Sequence, residues 1–330
     1  MLANLYLHPD AFCYNKVDTE EQVTNKLRCL IRDMRDVIYC CHEDNVFQVT
    51  SSLCETQVFE KQELIDFVQK HLTGEEIGVF FSMIGNKSTE MTPLTVDEIK
   101  EKCQACYSNS EANAIVILNN ILENNETEDE KQKHRGVVND YITFDTYQVV
   151  YDKSSWITLR RQILGNHPGT PAEFIGDCTK YFSNITFHEN CINTLTDDNY
   201  DYLKVCPRRI VYYLSCLNDK FKNILIKYKL GEVNPNVILE DFSGTYGLDE
   251  PASIQMNYKK KDALTFSFCV KATAETLKVL CEPHLKISKA DSNYRGSRVG
   301  SDFHPRIYFN FDKGMSDGHY YVGIIGKHVE

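Results

Sequence analysis

The sequence predicts an α+β protein, and three observations carry that prediction. Helical stripes of apolar residues and short β-patterned runs are interleaved through the first half of the chain. A long helical pattern dominates the middle. The last stretch changes to a period of two, as in a half-buried antiparallel sheet. The expected architecture is an acidic mixed N-terminal domain, a helical middle and a C-terminal antiparallel sheet with one or two helices.

Residues 1–14 alternate enough to open on a strand. Asp18 starts a helix, with Glu21 three residues later as its capping-box partner. Val23, Leu27, Leu30, Met34 and Val37 recur at helical spacing and form its buried stripe. NVFQVTSSLC (45–54) reads as a strand, and the helix after it runs to Leu72 and stops at Gly74. GVFFSMIG (78–85) is ambiguous, Thr95 with Glu98 caps a further helix, and ANAIVILNNIL (112–122) reads as a buried strand or a helix. The polar run ENNETEDEKQKHRG (123–136) has no apolar period. It sets a linker at 126–137, between an acidic α/β domain over 1–125 and an α+β domain over 138–330 whose basic sheet occupies about 255–330.

YITFDTYQVVYD (141–152) is β-like. Thr170-Pro171-Ala172-Glu173 combines an N-cap, proline at the first helical position and a capping-box glutamate. The strongest helix begins near Pro207, with Ile210, Leu214, Leu217, Phe221, Ile224 and Tyr228 as its stripe and Gly231 as its stop. Leu264, Phe266, Phe268 and Val270 alternate with polar or small residues as a strand, ATAETLKVLCEPH reads as a short helix stopped by Pro283, and RIYFNF and YYVGIIGKH are strands.

With 42% hydrophobic and 25% charged residues the composition is that of a globular protein. No apolar run approaches the roughly 20 residues that cross a bilayer, and MLANLYLHPDAFCYN lacks a basic region followed by an apolar block. No membrane is therefore expected. Thirteen scattered cysteines read as reduced thiols of a cytoplasmic protein. Net charge is −11, unevenly placed: residues 251–330 hold 12 Lys and Arg against 8 Asp and Glu, and the rest of the chain carries −15. A basic end attracts phosphate, and it also suits docking on the chain's own acidic body.

The candidate chemistry follows from that end. Lys286, Arg295, Arg298, Arg306, His284, His304, His319 and His328 crowd into a short β-patterned segment. Alternation across a strand puts Arg306 and Tyr308 on one face, opposite Ile307 and Phe309. Arginine can stabilise the charge of a phosphodiester in its transition state, and tyrosine or histidine can move the proton of an attacking hydroxyl. Arg306, Tyr308, His304 and His328 form the expected catalytic set. Lys286, Arg295, Arg298 and Lys327 are the expected nucleic-acid-binding residues, and RNA or DNA the expected ligand, with a protein partner or a second copy of the chain besides. The plain alternative is a solvated polar sheet face.

The order of LTFSFCV, TAETLKVL, PHLK, a segment containing YRGSR, RIYF and a last strand ending in GKH resembles the RelE/HigB-like ribonuclease toxins over about the last 70 residues. That resemblance implies metal-independent RNA cleavage by sheet residues, nearest here to Arg298, Arg306, Tyr308 and Lys327 or His328. The chain departs from the pattern in having one helix where that family has a pair, in His304-Pro305 before the strand, and in its large acidic N-terminal part. The rest of the chain resembles proteins of bacterial defence loci. A toxin-like effector is the resulting expectation, and a non-enzymatic interaction or regulatory subunit of a defence complex is the alternative.

Other motifs point to no reaction. Cys103-Gln104-Ala105-Cys106 lacks a second ligand pair for zinc and falls on an apolar stripe, and Cys40-Cys41-His42 is unspecific. Neither a metal nor a cofactor is expected. Phosphate-loop, dinucleotide and nucleophile-elbow signatures do not occur. Asp197-Asp198 and Glu240-Asp241 could serve a metal-dependent nuclease, though such pairs are common on surfaces. Tyr212-Tyr213 and Tyr320-Tyr321 could stack bases if exposed, and otherwise pack in the core.

Overall fold

A computed structural model describes residues 2–7, 12, 18–39, 42–50, 52–86, 88–91, 98–99, 101–102, 112–116, 149–228, 233–254, 261–270, 275–310 and 319–329. The expected linker at 126–137, the Cys103 and Cys106 pair, Cys40 and Cys41, the Thr95 cap and the 141–148 part of the β-like run lie outside them. The protein is α+β, and its described residues fall into two compact units, one up to Ile163 and one from Leu164.

The first unit is built on strands β1 (Ala3–Leu7), β2 (Asn45–Thr50), β5 (Ser88–Met91), β6 (Ala112–Val116) and β7 (Val149–Val150), with a small hairpin of β3 (Gln57–Phe59) and β4 (Gln62–Glu63). The five strands are all parallel, in the order β5-β2-β1-β6-β7. The chain winds outward from β1 in one direction and then in the other, so the topological switch lies between β1 and β6. Helix α1 (Glu20–Tyr39) lays Val23, Leu27, Leu30, Ile31, Met34 and Ile38 into the core. Its capping box lies one residue beyond the expected place: Thr19 N–H donates to Gln22 Oε1 at 2.8 Å and Gln22 N–H to Thr19 Oγ1 at 3.3 Å.

Helix α2 (Leu64–His71) ends as expected, but Gly74 does not mark a stop. Thr73 and Glu76 form a second capping box there and start α3 (Gly74–Phe81), which resolves the ambiguous GVFF run as helix. Helix α4 (Lys153–Asn166) is tied to the sheet unit by Trp156, whose indole N–H donates to Asn45 Oδ1 at 2.8 Å in the interior. Parallel strands are buried on both faces, and β6 is buried at every residue. Its one polar side chain is paired: Asn4 Nδ2 donates to Asn113 Oδ1 at 2.9 Å, Gln48 Nε2 to Asn4 Oδ1 at 3.3 Å, and Asn113 Nδ2 to the Lys102 carbonyl at 3.2 Å.

The second unit contains helices α5 (Pro171–Tyr181), α6 (Asn190–Thr194), α7 (Tyr202–Val205), α8 (Pro207–Asp219), α9 (Phe221–Lys227) and α10 (Pro235–Thr245). The Thr170–Glu173 capping box at α5 forms as the sequence requires. The single helix expected from Pro207 is two, broken at Lys220, yet Ile210, Leu214, Leu217, Phe221 and Ile224 still share the core. No side chain of Cys206 caps α8. The buried Asp291 carboxylate does so from a distant loop, accepting from Arg208 N–H at 2.7 Å and Arg209 N–H at 3.2 Å.

These helices cover one face of a sheet of β8 (Ile185–Phe187), β9 (Glu250–Ile254), β12 (Pro283–Lys286), β13 (Arg306–Phe309) and β14 (Tyr320–Gly326). Its order is β8-β14-β13-β12-β9, antiparallel except that β8 runs parallel to β14. Leu285, Ile287, Ile307 and Phe309 face the helices. The helix expected over 272–284 is not present in its described part, 275–284: β11 (Glu275–Leu280) pairs antiparallel with β10 (Thr265–Val270), with Phe266 opposite Val279 and Phe268 opposite Leu277. ETLKVL suits a helix by local propensity, but pairing with an apolar neighbour strand overrides that preference.

This hairpin covers part of the other sheet face, so that face is not simply solvated. Tyr308 is 0% exposed among Leu264, Phe266, Phe268, Val279, Cys281 and Ile324, and Asn310 is 4% exposed. The alternation holds from Arg306 to Asn310, the part of RIYFNF among the described residues, and Tyr308 and Asn310 are covered on the face away from the helices. Gly323 allows the close approach, because a Cβ there would lie 2.3 Å from the Phe266 ring. Among the described residues no helix is long and apolar enough to cross a membrane.

Candidate functional site

Beyond the edge of the β10–β11 cover, β12 and β13 bring polar side chains together. The register pairs Lys286 with Arg306 and His284 with Tyr308, and on the β9 side it pairs Lys286 with Glu250 and His284 with Ser253. Residues two apart on a strand share a face, so Lys286, His284, Arg306 and Tyr308 all lie on the face turned away from the helices. His328, just past β14, places its ring centroid 6.1 Å from that of His284.

Two cations thus stand side by side in a half-buried row. Among the described residues neither forms an ion pair within 4.0 Å, although the Glu250 carboxylate, opposite Lys286 on β9, acts on both charges, and Arg306 Nε is buried without a hydrogen-bond partner. Arg306 Nη1 donates to the carbonyls of His304 at 3.2 Å and Pro305 at 3.4 Å, which aims the guanidinium along the strand entry. Burial holds Arg306 below the usual arginine range, with Glu250 acting the other way. Burial lowers Lys286 too, and the charge of Arg306 adds to it.

His284 is 4% exposed, and burial pushes its imidazole down to about 4, with Arg306, Lys286 and His328 reinforcing the shift. The ring is neutral at pH 7. Its Nδ1 lies 3.3 Å from the Glu282 carbonyl, which can only accept, so Nδ1 carries the hydrogen. Nε2 is then the acceptor, 3.4 Å from Ser253 Oγ. Tyr308 is held differently: its hydroxyl accepts from Val329 N–H at 3.1 Å, and burial raises its pKa.

The expected site residues therefore separate. Arg306, Lys286, Tyr308 and His328 converge. Tyr308 is the correction within that group, because a fully covered ring bonded to the backbone supports its neighbours and offers no surface. His304 is exposed at the entry to β13 and contributes its carbonyl to Arg306. Arg295 and Arg298 are exposed in the 288–302 connection between β12 and β13, and Lys327 is exposed past the end of β14. That connection is pinned by Asp291 at α8 and by Tyr200, whose hydroxyl donates to Asp302 Oδ1 at 2.9 Å. His319 is held by Thr186 Oγ1 at 2.8 Å and by the Tyr321 ring.

His284 and Ser253 are the residues that sequence reasoning left out of the site. The signal for His284 was present, since P-H-L-K alternates, but it was read as the end of a helix. Ser253 carried none, because only the register of β9 brings it to His284.

Other candidates have structural explanations. Asp197 accepts from the N–H groups of Asn199 at 2.7 Å and Tyr200 at 2.8 Å and from the Tyr202 hydroxyl, which fixes a turn. Asp241 accepts from Tyr228 Oη at 3.1 Å and from Thr245 Oγ1 at 3.1 Å. Tyr213 and Tyr320 are buried in the core. In the first unit, a groove of about 500 Å³ is lined by Arg28, Arg32 and Arg35, but Glu76 lies 3.3 Å from Arg28 and Glu75 lies 2.7 Å from Arg35. Among the described residues no three His, Cys, Asp or Glu side chains converge as a metal-holding group. The chain matches no protein-family model, no curated protein and no solved structure.

Proposed function

We propose that the half-buried face of β12 and β13 binds a nucleic-acid phosphodiester and cleaves RNA without a metal. One observation carries the reading: Lys286 and Arg306 lie side by side, neither in an ion pair within 4.0 Å among the described residues and with Glu250 as the one acid acting on both, and they are flanked by two imidazoles 6.1 Å apart. Two desolvated like charges are costly unless an anion joins them, and a bridging phosphate would satisfy both. In RNA the nucleophile is the 2′-hydroxyl. His284 Nε2 would accept its proton, Lys286 and Arg306 would hold the charge that builds on phosphorus, and His328 would return a proton to the leaving oxygen. The reading rests on this cluster and not on the toxin-like order of elements, because the helix of that order is β11 here.

The test is cleavage of single-stranded RNA by the full chain in excess chelator. Products ending in a 2′,3′-cyclic phosphate are expected, with the rate lowered about 100-fold or more in Arg306→Ala and in His328→Ala. A folded wild-type chain that leaves RNA intact, or a folded double variant that cuts at the original rate, would overturn the proposal. A second reading, a non-enzymatic subunit that docks a protein, is favoured by Ile226 and Val237, which are 73% and 45% exposed on the adjacent helices α9 and α10. Native mass measurement of the chain with and without Ile226→Asp distinguishes it, since an assembly lost in that variant supports docking.

A further inference from the structure

The acceptor of His284 is already engaged by a hydroxyl of this chain. Ser253 Oγ stands 3.4 Å from His284 Nε2 on the neighbouring strand β9, in the position from which the imidazole takes a proton. The Glu282 carbonyl at 3.3 Å orients the ring from behind. Nucleophile, base and orienting acceptor thus occur in sequence, with the Lys286 and Arg306 pair beside them. Both bonds are long, as catalytic hydrogen bonds often are before a substrate is bound. Ser253 is half-buried and His284 buried, so the hydroxyl is the nearer of the two to solvent.

We infer that Ser253 is itself a nucleophile, and that the site also cleaves phosphodiesters lacking a 2′-hydroxyl, the chemical class of DNA strands. The inference rests on the phosphodiester reading above and extends its substrate class. Ser253 Oγ attacks phosphorus and forms a phosphoserine ester while the bond from phosphorus to the leaving oxygen breaks. The serine proton passes to His284 Nε2, and His328 protonates the leaving oxygen. Water then attacks the phosphoserine. His328, now neutral, takes the water's proton, His284 returns the proton it holds to the serine oxygen as that oxygen leaves, and the polymer end keeps the phosphate. No oxidant, reductant or further reactant is required.

The experiment uses the full chain and two end-labelled single strands of one sequence, one RNA and one DNA, in chelator. The wild-type chain is expected to cut both, and denatured protein mass spectrometry is expected to find an oligonucleotide on Ser253 in the DNA reaction. Ser253→Ala should lower DNA cleavage at least about 1000-fold and abolish the adduct, with folding checked by its circular dichroism and thermal midpoint. RNA cut and DNA uncut by the wild-type chain would remove the serine and keep the phosphodiester reading. DNA cut equally well by Ser253→Ala would also remove it. If neither strand is cut, both readings fall.

Discussion

The two sheets treat buried polar side chains in opposite ways. In the parallel sheet, Asn4, Gln48 and Asn113 are neutral amides that satisfy one another across three central strands. In the antiparallel sheet, Lys286 and Arg306 are cations held beside the neutral His284 in a partly desolvated row, with no ion pair within 4.0 Å among the described residues and only Glu250 acting against them. A neutral, fully paired ladder specifies register at little cost and asks nothing of a ligand. Two adjacent desolvated cations with a single nearby acid cost stability, and a bound anion would offset that cost. On the proposed reading the first sheet is scaffold and the second carries the site.

The largest expected effect tests whether the antiparallel sheet depends on its anchor. Asp291 caps α8 and lies 4.0 Å from Arg209, which also pairs with Asp249 at 2.6 Å. Asp291→Ala leaves the helix end bare and removes one carboxylate from a buried network, costing about 4 kcal/mol. Hydrogen exchange should show α8 and the 288–302 connection losing protection while β1, β2 and β6 keep theirs.

Acid gives the next effect. Because the folded-state pKa of His284 is depressed to about 4, the unfolded chain binds a proton first as pH falls. This contribution is full above about pH 6.5 and is lost by about pH 4, amounting to roughly 3 kcal/mol. The groups around the ring are Lys286, Arg306, His328, Glu250, Tyr308 and the Glu282 carbonyl. Denaturant titrations across that window should show the loss in the wild-type chain and a flatter profile in His284→Gln. The amide ladder has no titrating group and contributes nothing to this dependence.

Breaking the ladder is a smaller test. Asn113→Ala, in a strand buried at every position, leaves the half-buried Asn4 Nδ2 without its acceptor, for about 2 kcal/mol by denaturant midpoint. The smallest effect has the opposite sign. Arg306→Met removes a half-buried cation that makes no ion pair among the described residues and is expected to stabilise by about 1 kcal/mol while weakening the proposed RNA binding. The salt dependence of binding should flatten by about one counterion. A destabilised Arg306→Met chain with unchanged binding would erase the contrast between the sheets.

Much of the local structure was legible in the residues. The Thr170-Pro171-Ala172-Glu173 box, the α1 stripe and the alternation of RIYF are short-range signals that survive into the fold. Two errors share one cause. Gly74 read as a stop because a glycine after an apolar run usually ends a helix, but Thr73 and Glu76 made it a start. ETLKVL read as a helix because its residues favour one, but β10 supplied a partner. The candidate site was half legible. Alternation grouped Arg306 with Tyr308, while burial of Tyr308 depended on a hairpin whose second strand had been read as a helix.

By itself the sequence determined which segments could be amphipathic, where several helices begin, and that positive charge collects at the C-terminal end. Those properties are set by neighbours within a few residues, through side-chain period and capping. Only the tertiary structure decided that Lys286 stands beside Arg306, that His284 meets Ser253 and His328, and that Tyr308 is covered. Each of those contacts joins segments far apart in the chain, and strand register is fixed by the packing of the whole sheet.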